Sequence, residues 1–209
     1  MYKKGSIILS VLIIAAISGC SAAAPTPGNE PEVTYEAQSP EPTPSDTEAS
    51  IFSELPEKFV FSSGAGAWET IVEIKSDGAF IGNYHDSNMG DTGPDYPNGI
   101  RYECNFSGKF TDVKKIADDE YSMRVEYINT EEEAGKETII DGVKVITEEP
   151  YGFENAGEFR LYLPGRNTKD LPEEFINWVR GPLGWSEVPA EMPAYGLYNV
   201  AGGKGFYGD

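Results

Sequence analysis

The chain has 209 residues, 35 of them acidic against 16 basic, and a formal charge of −19. So acidic a surface is not built to hold nucleic acid or anionic lipid by charge, and no nucleic-acid partner is expected. Two cysteines exclude a disulfide scaffold, and a single histidine weighs against multi-histidine metal sites and nucleophilic triads.

Lys3 and Lys4 precede an apolar window, Ile7 to Ile17, broken only by Ser10. That window is too short for a membrane span, which needs about 20 apolar residues. It suits the apolar region of an export signal. Directly after it, Ile17-Ser18-Gly19-Cys20 resembles the lipobox of bacterial lipoproteins. The resemblance implies cleavage before Cys20, a diacylglycerol on its thiol, and an extracytoplasmic domain held to the cell membrane by lipid. More than one acyl chain is what stable anchoring requires. Loss of residues 1–19 removes Lys3 and Lys4 and takes the charge to −21. Cys104 is then alone, and no internal disulfide is expected.

Residues 20–50 read as the lipidated Cys20 followed by a tether. Six of the fifteen prolines fall here (Pro25, Pro27, Pro31, Pro40, Pro42 and Pro44), among acidic residues and without one basic side chain. Such a stretch has too little apolar area to offset its ordering entropy, so an extended, disordered segment is expected.

Residues 51–209 are enough for one core and read as a single β-rich domain. From Trp68 to Lys75 the chain alternates, with Trp68, Thr70, Val72 and Ile74 on one face. Ser76-Asp77-Gly78 is a hairpin turn, and Ala79 to His85, with Phe80 and Tyr84, is the return strand. A polar loop, Asp86 to Asn98, follows. Ile100 to Phe110 alternates with Tyr102, Cys104, Phe106 and Phe110 inward, and Glu120 to Ile128 does so through Tyr121, Met123, Val125 and Tyr127. Asp141-Gly142 turns into a strand at Val143 to Thr147, and Glu158 to Leu163 gives another. A helix then begins at an Asp170 cap with Pro172 in its first turn. It carries Leu171, Phe175, Trp178 and Val179 on one stripe and stops at Gly181-Pro182. Tyr195 to Val200 is the closing strand.

Six or seven antiparallel strands and one late α-helix make the fold mainly β, a curved antiparallel sheet or a barrel. Gly66-Ala67-Trp68 resembles the G-x-W signature of lipocalin-type (calycin) barrels, a resemblance that implies a lipocalin-like barrel plugged at one end by the tryptophan. The run of features from Phe59-Val60-Phe61-Ser62-Ser63-Gly64 to Leu161-Tyr162-Leu163-Pro164-Gly165 is similar to a group of surface lipoproteins of Gram-positive bacteria. That likeness brings no activity with it.

Candidate chemistry is sparse. Asp86, Asn88, Asp91 and Asp95 offer four oxygen side chains to a hard cation such as calcium. An EF-hand is excluded, because Asp91 stands where glycine is required and Pro97 where glutamate is. Tyr96, Tyr151, Trp185, Tyr195 and Tyr198, in loop or glycine-rich surroundings, are candidates for a ligand-stacking surface. Trp68, Trp178 and Cys104 read as core, and His85 as a surface or structural residue. There is no G-x-S-x-G elbow, and no carboxylate pair stands out among 35 acids. The expectation is a non-catalytic binding module for a small molecule, glycan or cation, taken through the barrel mouth or the Asp86–Asn98 loop. The alternatives are a carboxylate-dependent hydrolase of envelope polymers and a scaffold for a protein partner.

Overall fold

The computed structural model describes residues 51–208; the leader, Cys20 and the tether lie outside the described residues. Ten strands are present among them: β1 Phe59–Ser62, β2 Trp68–Ile74, β3 Ala79–Asn88, β4 Ile100–Ala117, β5 Glu120–Thr130, β6 Glu137–Ile140, β7 Val143–Thr147, β8 Glu158–Tyr162, β9 Gly196–Asn199 and β10 Lys204–Gly208. One whole α-helix, α1 Glu173–Arg180, lies between β8 and β9.

Strands β1, β2, β3, β4, β5, β8, β9 and β10 pair in chain order, each antiparallel to the next, and β10 pairs with β1. The result is a closed eight-stranded up-and-down barrel, which leaves no edge in the ring. Between β5 and β8 the chain makes a β6–β7 hairpin, whose β7 joins the start of β4 in parallel, Ile100 opposite Lys144. The expected strands are all present. Strands β1, β6 and β10 were not foreseen, nor was a parallel pair.

The two Asp-Gly turns differ. At Asp141-Gly142 both residues are left-handed (φ 52 and 76), as a two-residue hairpin turn demands. At Ser76-Asp77-Gly78 only Gly78 is (φ 80), which makes a three-residue loop closed by the Lys75–Ala79 pair.

Alternation sets the interior as expected from Trp68 to Ile74 and from Tyr102 to Phe110. Nine of the ten phenylalanines belong to the inner cluster, with Val72, Cys104, Met123, Leu161 and Leu197. Gly82 and Gly108 point inward where Phe106 and Phe80 need the room; a Cβ would lie 2.2 Å and 2.3 Å from those rings.

Tyr127 is a correction. It is exposed, and Ile128 packs on the core in its place. The register runs Lys109 opposite Tyr127, then Phe110 opposite Val125, so Glu126 is an extra residue. Such a bulge reverses the parity of every residue beyond it.

A second, outer cluster lies under α1. Phe175 is seated over Gly196 and Gly205, and Leu171, Val179, Met192, Tyr162 and Tyr198 surround it. Of the expected apolar stripe, Phe175 and Val179 are buried in this cluster, but Trp178 packs on the inner cluster and Leu171 precedes the helix; the cap differs too. Pro172 occupies the N-cap, and Asp170 instead ends a one-turn 3-10 helix, Thr168–Asp170. Below it Arg166 bridges Asp119 (2.6 Å) and Glu120 (2.7 Å), and Arg160 bridges Glu120 (3.1 Å) and Glu158 (2.8 Å).

Candidate functional site

The loop from Glu148 to Gly157 enters the barrel. Phe153 stands inside it, its ring 5.1 to 6.5 Å from those of Phe80, Phe106, Phe110, Phe159 and Phe206. Fully buried Thr70 donates its hydroxyl to the carbonyl of Tyr151 at 2.8 Å, which ties the loop to β2. The barrel interior at this end is therefore filled by the chain's own aromatic side chains.

Over the plug lie Phe61, Trp68, Tyr151 and Trp178. Trp68 is 4.9 Å from Phe61 and 5.0 Å from Tyr151, with Trp178 at 6.2 Å, mostly edge to face. The Trp178 indole donates to the carbonyl of Gly203 at 2.8 Å. The Lys204 ammonium stands 4.9 Å from the Trp178 ring and 5.3 Å from that of Tyr151, a cation–π arrangement. Tyr84 lies beneath, 5.4 Å from Tyr151; burial, then Asp86 and Glu148, push its hydroxyl pKa up to about 12.

The five stacking candidates do not form one surface. Tyr151 belongs to the cluster just described. Tyr198 is buried under α1, 5.9 Å from Phe175, and Trp185 packs on the same outer cluster. Tyr195 packs at the opposite barrel end beside Gly208, and Tyr96 sits on Gly93 beneath Lys144. An outward side chain on a barrel strand can be as buried as an inward one when a helix covers it, and that removes Tyr198.

The calcium candidates are not gathered either. Strand β3 runs on to Asn88, so Asp86 and Asn88 lie on a strand, not in a loop. Asp86 accepts from the Ser87 amide at 2.6 Å and Asn88 from the Gly90 amide at 3.2 Å. Among the described residues no three His, Cys, Asp or Glu are placed to hold a metal ion. Cys104 is buried in the core as read, its thiol pKa pushed up to about 11 by burial and then by Glu149, Glu131 and Glu148.

Two cavities open on the outer wall. One, of about 240 Å³, lies between the β1–β2 loop and the end of α1, lined by Ser62, Gly64, Gly66, Trp68, Glu69, His85, Pro182 and Tyr207. Gly64 and Gly66 are left-handed (φ 74 and 78), a backbone conformation that favours glycine, and a Cβ at Gly64 would lie 3.1 Å from Pro182. His85 is 3.9 Å from Glu69. The other, of about 430 Å³, is bordered by Ile71, Glu73, Ile81, Asn83, Asn105, Ser107 and Glu131. There Asn83 donates to Asn105 at 2.7 Å, and Asn105 donates to Glu131 at 3.0 Å.

Sequence reasoning missed these outward residues, although the signal was present. With the turn at Ser76–Gly78 known, counting back from Ile74 opposite Phe80 pairs Ile71 with Asn83 and Glu69 with His85. No protein-family model, curated protein or solved structure matches the chain. The functional reading rests on the geometry.

Proposed function

We propose that the chain is a lipid-anchored extracytoplasmic protein whose barrel is a non-catalytic binding module, taking a glycan ring against Trp68. The observation that carries this reading is the double role of Trp68. Its half-buried ring is held by Phe61 and Tyr151 and also walls the cavity that contains Ser62, Glu69 and His85. An aromatic wall beside hydroxyl, carboxylate and imidazole groups matches a sugar, which offers an apolar C–H face and a rim of hydroxyls. The cavity is smaller than the roughly 300–1,000 Å³ of drug-sized sites, so one ring is its natural occupant.

The test is saturation-transfer NMR on the full chain with N-acetylglucosamine, glucose and glycerol. The expected result is transfer to the sugar ring protons, with a Kd on the order of millimolar, lost in Trp68→Ala. Transfer that survives Trp68→Ala, or is absent for both sugars, would overturn the reading.

A further inference from the structure

The two cavities follow one another along the same two strands. Glu69 and His85 are register partners and line the smaller; Ile71 and Asn83, the next outward pair, line the larger, and Glu73 and Ile81 come after them. Outward residues two apart on a strand are separated by about 7 Å, so Glu69 to Glu73 covers about 14 Å of wall. That is a track, longer than one ring needs.

The polar groups of the larger cavity are held in place. Asn105 accepts from Asn83 and donates to Glu131, which fixes the orientation of both amides. One N–H on each amide and the Asn83 carbonyl remain for a ligand. Both asparagines stand on barrel strands, where the backbone does not yield. Flanking the amides are Ile71, the β2 partner of Asn83, and Ile81, two residues along β3 and 47% exposed. Amide donors and acceptors interspersed with apolar side chains suit acetamido groups, each of which carries an N–H, a carbonyl and a methyl.

Charge narrows the choice. Glu69, Glu73 and Glu131 line the track, and neither cavity is lined by a lysine or arginine. A polyanion meets like charge there, whereas an uncharged polymer does not.

On the reading that Trp68 takes a glycan ring, we propose that the two cavities are consecutive subsites for an extended, uncharged N-acetylhexosamine oligosaccharide. It lies lengthwise on β2 and β3, with Trp68 at one end, the Asn83–Asn105–Glu131 relay beside its middle, and Glu73 and Ile81 at the other end.

Isothermal titration of the full chain with β-1,4-linked N-acetylglucosamine oligomers, from monomer to hexamer, tests this. Affinity is expected to rise at least tenfold from monomer to tetramer and then to level off. Asn105→Ala, an exposed position, removes that gain, whereas Trp68→Ala weakens every length. Two results would overturn the track and leave the single-ring reading standing: a tetramer that binds no better than the monomer, or a gain that survives Asn105→Ala. Absence of binding at every length sinks both.

Discussion

The side-chain amide of fully buried Asn199 donates to the carbonyl of Gly152 at 3.0 Å. The same nitrogen donates to Glu154 at 2.9 Å, and the Asn199 oxygen accepts from the Gly202 amide at 3.1 Å. Gly152 has a φ of 97°, and a Cβ there would lie 2.6 Å from Phe206, so the loop passes too close to the core for any other residue. One side chain on β9 thus holds both flanks of the residue that plugs the barrel. Asn199→Ala leaves those carbonyls without their donor, at a cost of about 2–3 kcal/mol. The midpoint of thermal unfolding is expected to fall by about 5–10 °C. A change of less than a degree would mean that the plug does not depend on Asn199.

The inward glycines make a graded prediction. At Gly108 an added Cβ meets the Phe80 ring at 2.3 Å and also the Tyr127 carbonyl oxygen at 2.4 Å, whereas at Gly82 it meets only the Phe106 ring. A ring can turn and a strand carbonyl cannot. Overpacking costs about 1–3 kcal/mol, and Gly108→Ala is expected at or above the top of that range, with Gly82→Ala below it. Urea midpoints of the two variants, read against the parent, decide the order.

Stability is expected to fall in alkali. The thiol of Cys104 is raised from 9.0 to about 11 and the hydroxyl of Tyr84 from 10.0 to about 12, each first by burial. Below pH 9 both groups are neutral folded or unfolded, and their contribution is whole. Above it the unfolded chain loses these protons first, so the folded state is disfavoured progressively up to about pH 12. Denaturant midpoints measured from pH 8 to 12 should decline, and Cys104→Ala should flatten the part between pH 9 and 11. A decline identical in that variant would remove Cys104 from the account.

Arg166 joins Asp119 and Glu120 while only 16% of its side chain is exposed. Arg166→Met removes the partner of partly buried Asp119 and one of the two partners of Glu120. The cost should lie between the roughly 1 kcal/mol of a surface pair and the 3–5 kcal/mol of a buried one. Glu120 keeps Arg160 as a partner, so a value near the lower end is expected. Equilibrium unfolding at low and high salt measures it; no loss at either salt would show the bridge to be incidental.

Cys20→Ser should abolish incorporation of labelled fatty acid and release the protein from the membrane pellet. Retention in the pellet without label would place the anchor elsewhere.

Sequence alone determined what depends on parity and local turn chemistry. Trp68 to Ile74 and Tyr102 to Phe110 point as their alternation requires, because successive strand side chains take opposite faces whatever lies beyond them. The burial of Phe175 and Val179 follows from the helical period in the same way. Tertiary structure decided the rest. The bulge at Glu126 exposed Tyr127, a choice made by pairing with β4. Ring closure brought the glycine-rich β10 against β1, where glycines carry no alternation to read. Phe153 sits in a loop whose local sequence says nothing of a barrel around it, and Tyr198 is outward yet covered by α1. The candidate site is the extreme case. Outward polar residues such as Asn83 and Asn105 look alike on every strand, and only register across three strands and the chain's return at Glu131 sets them side by side.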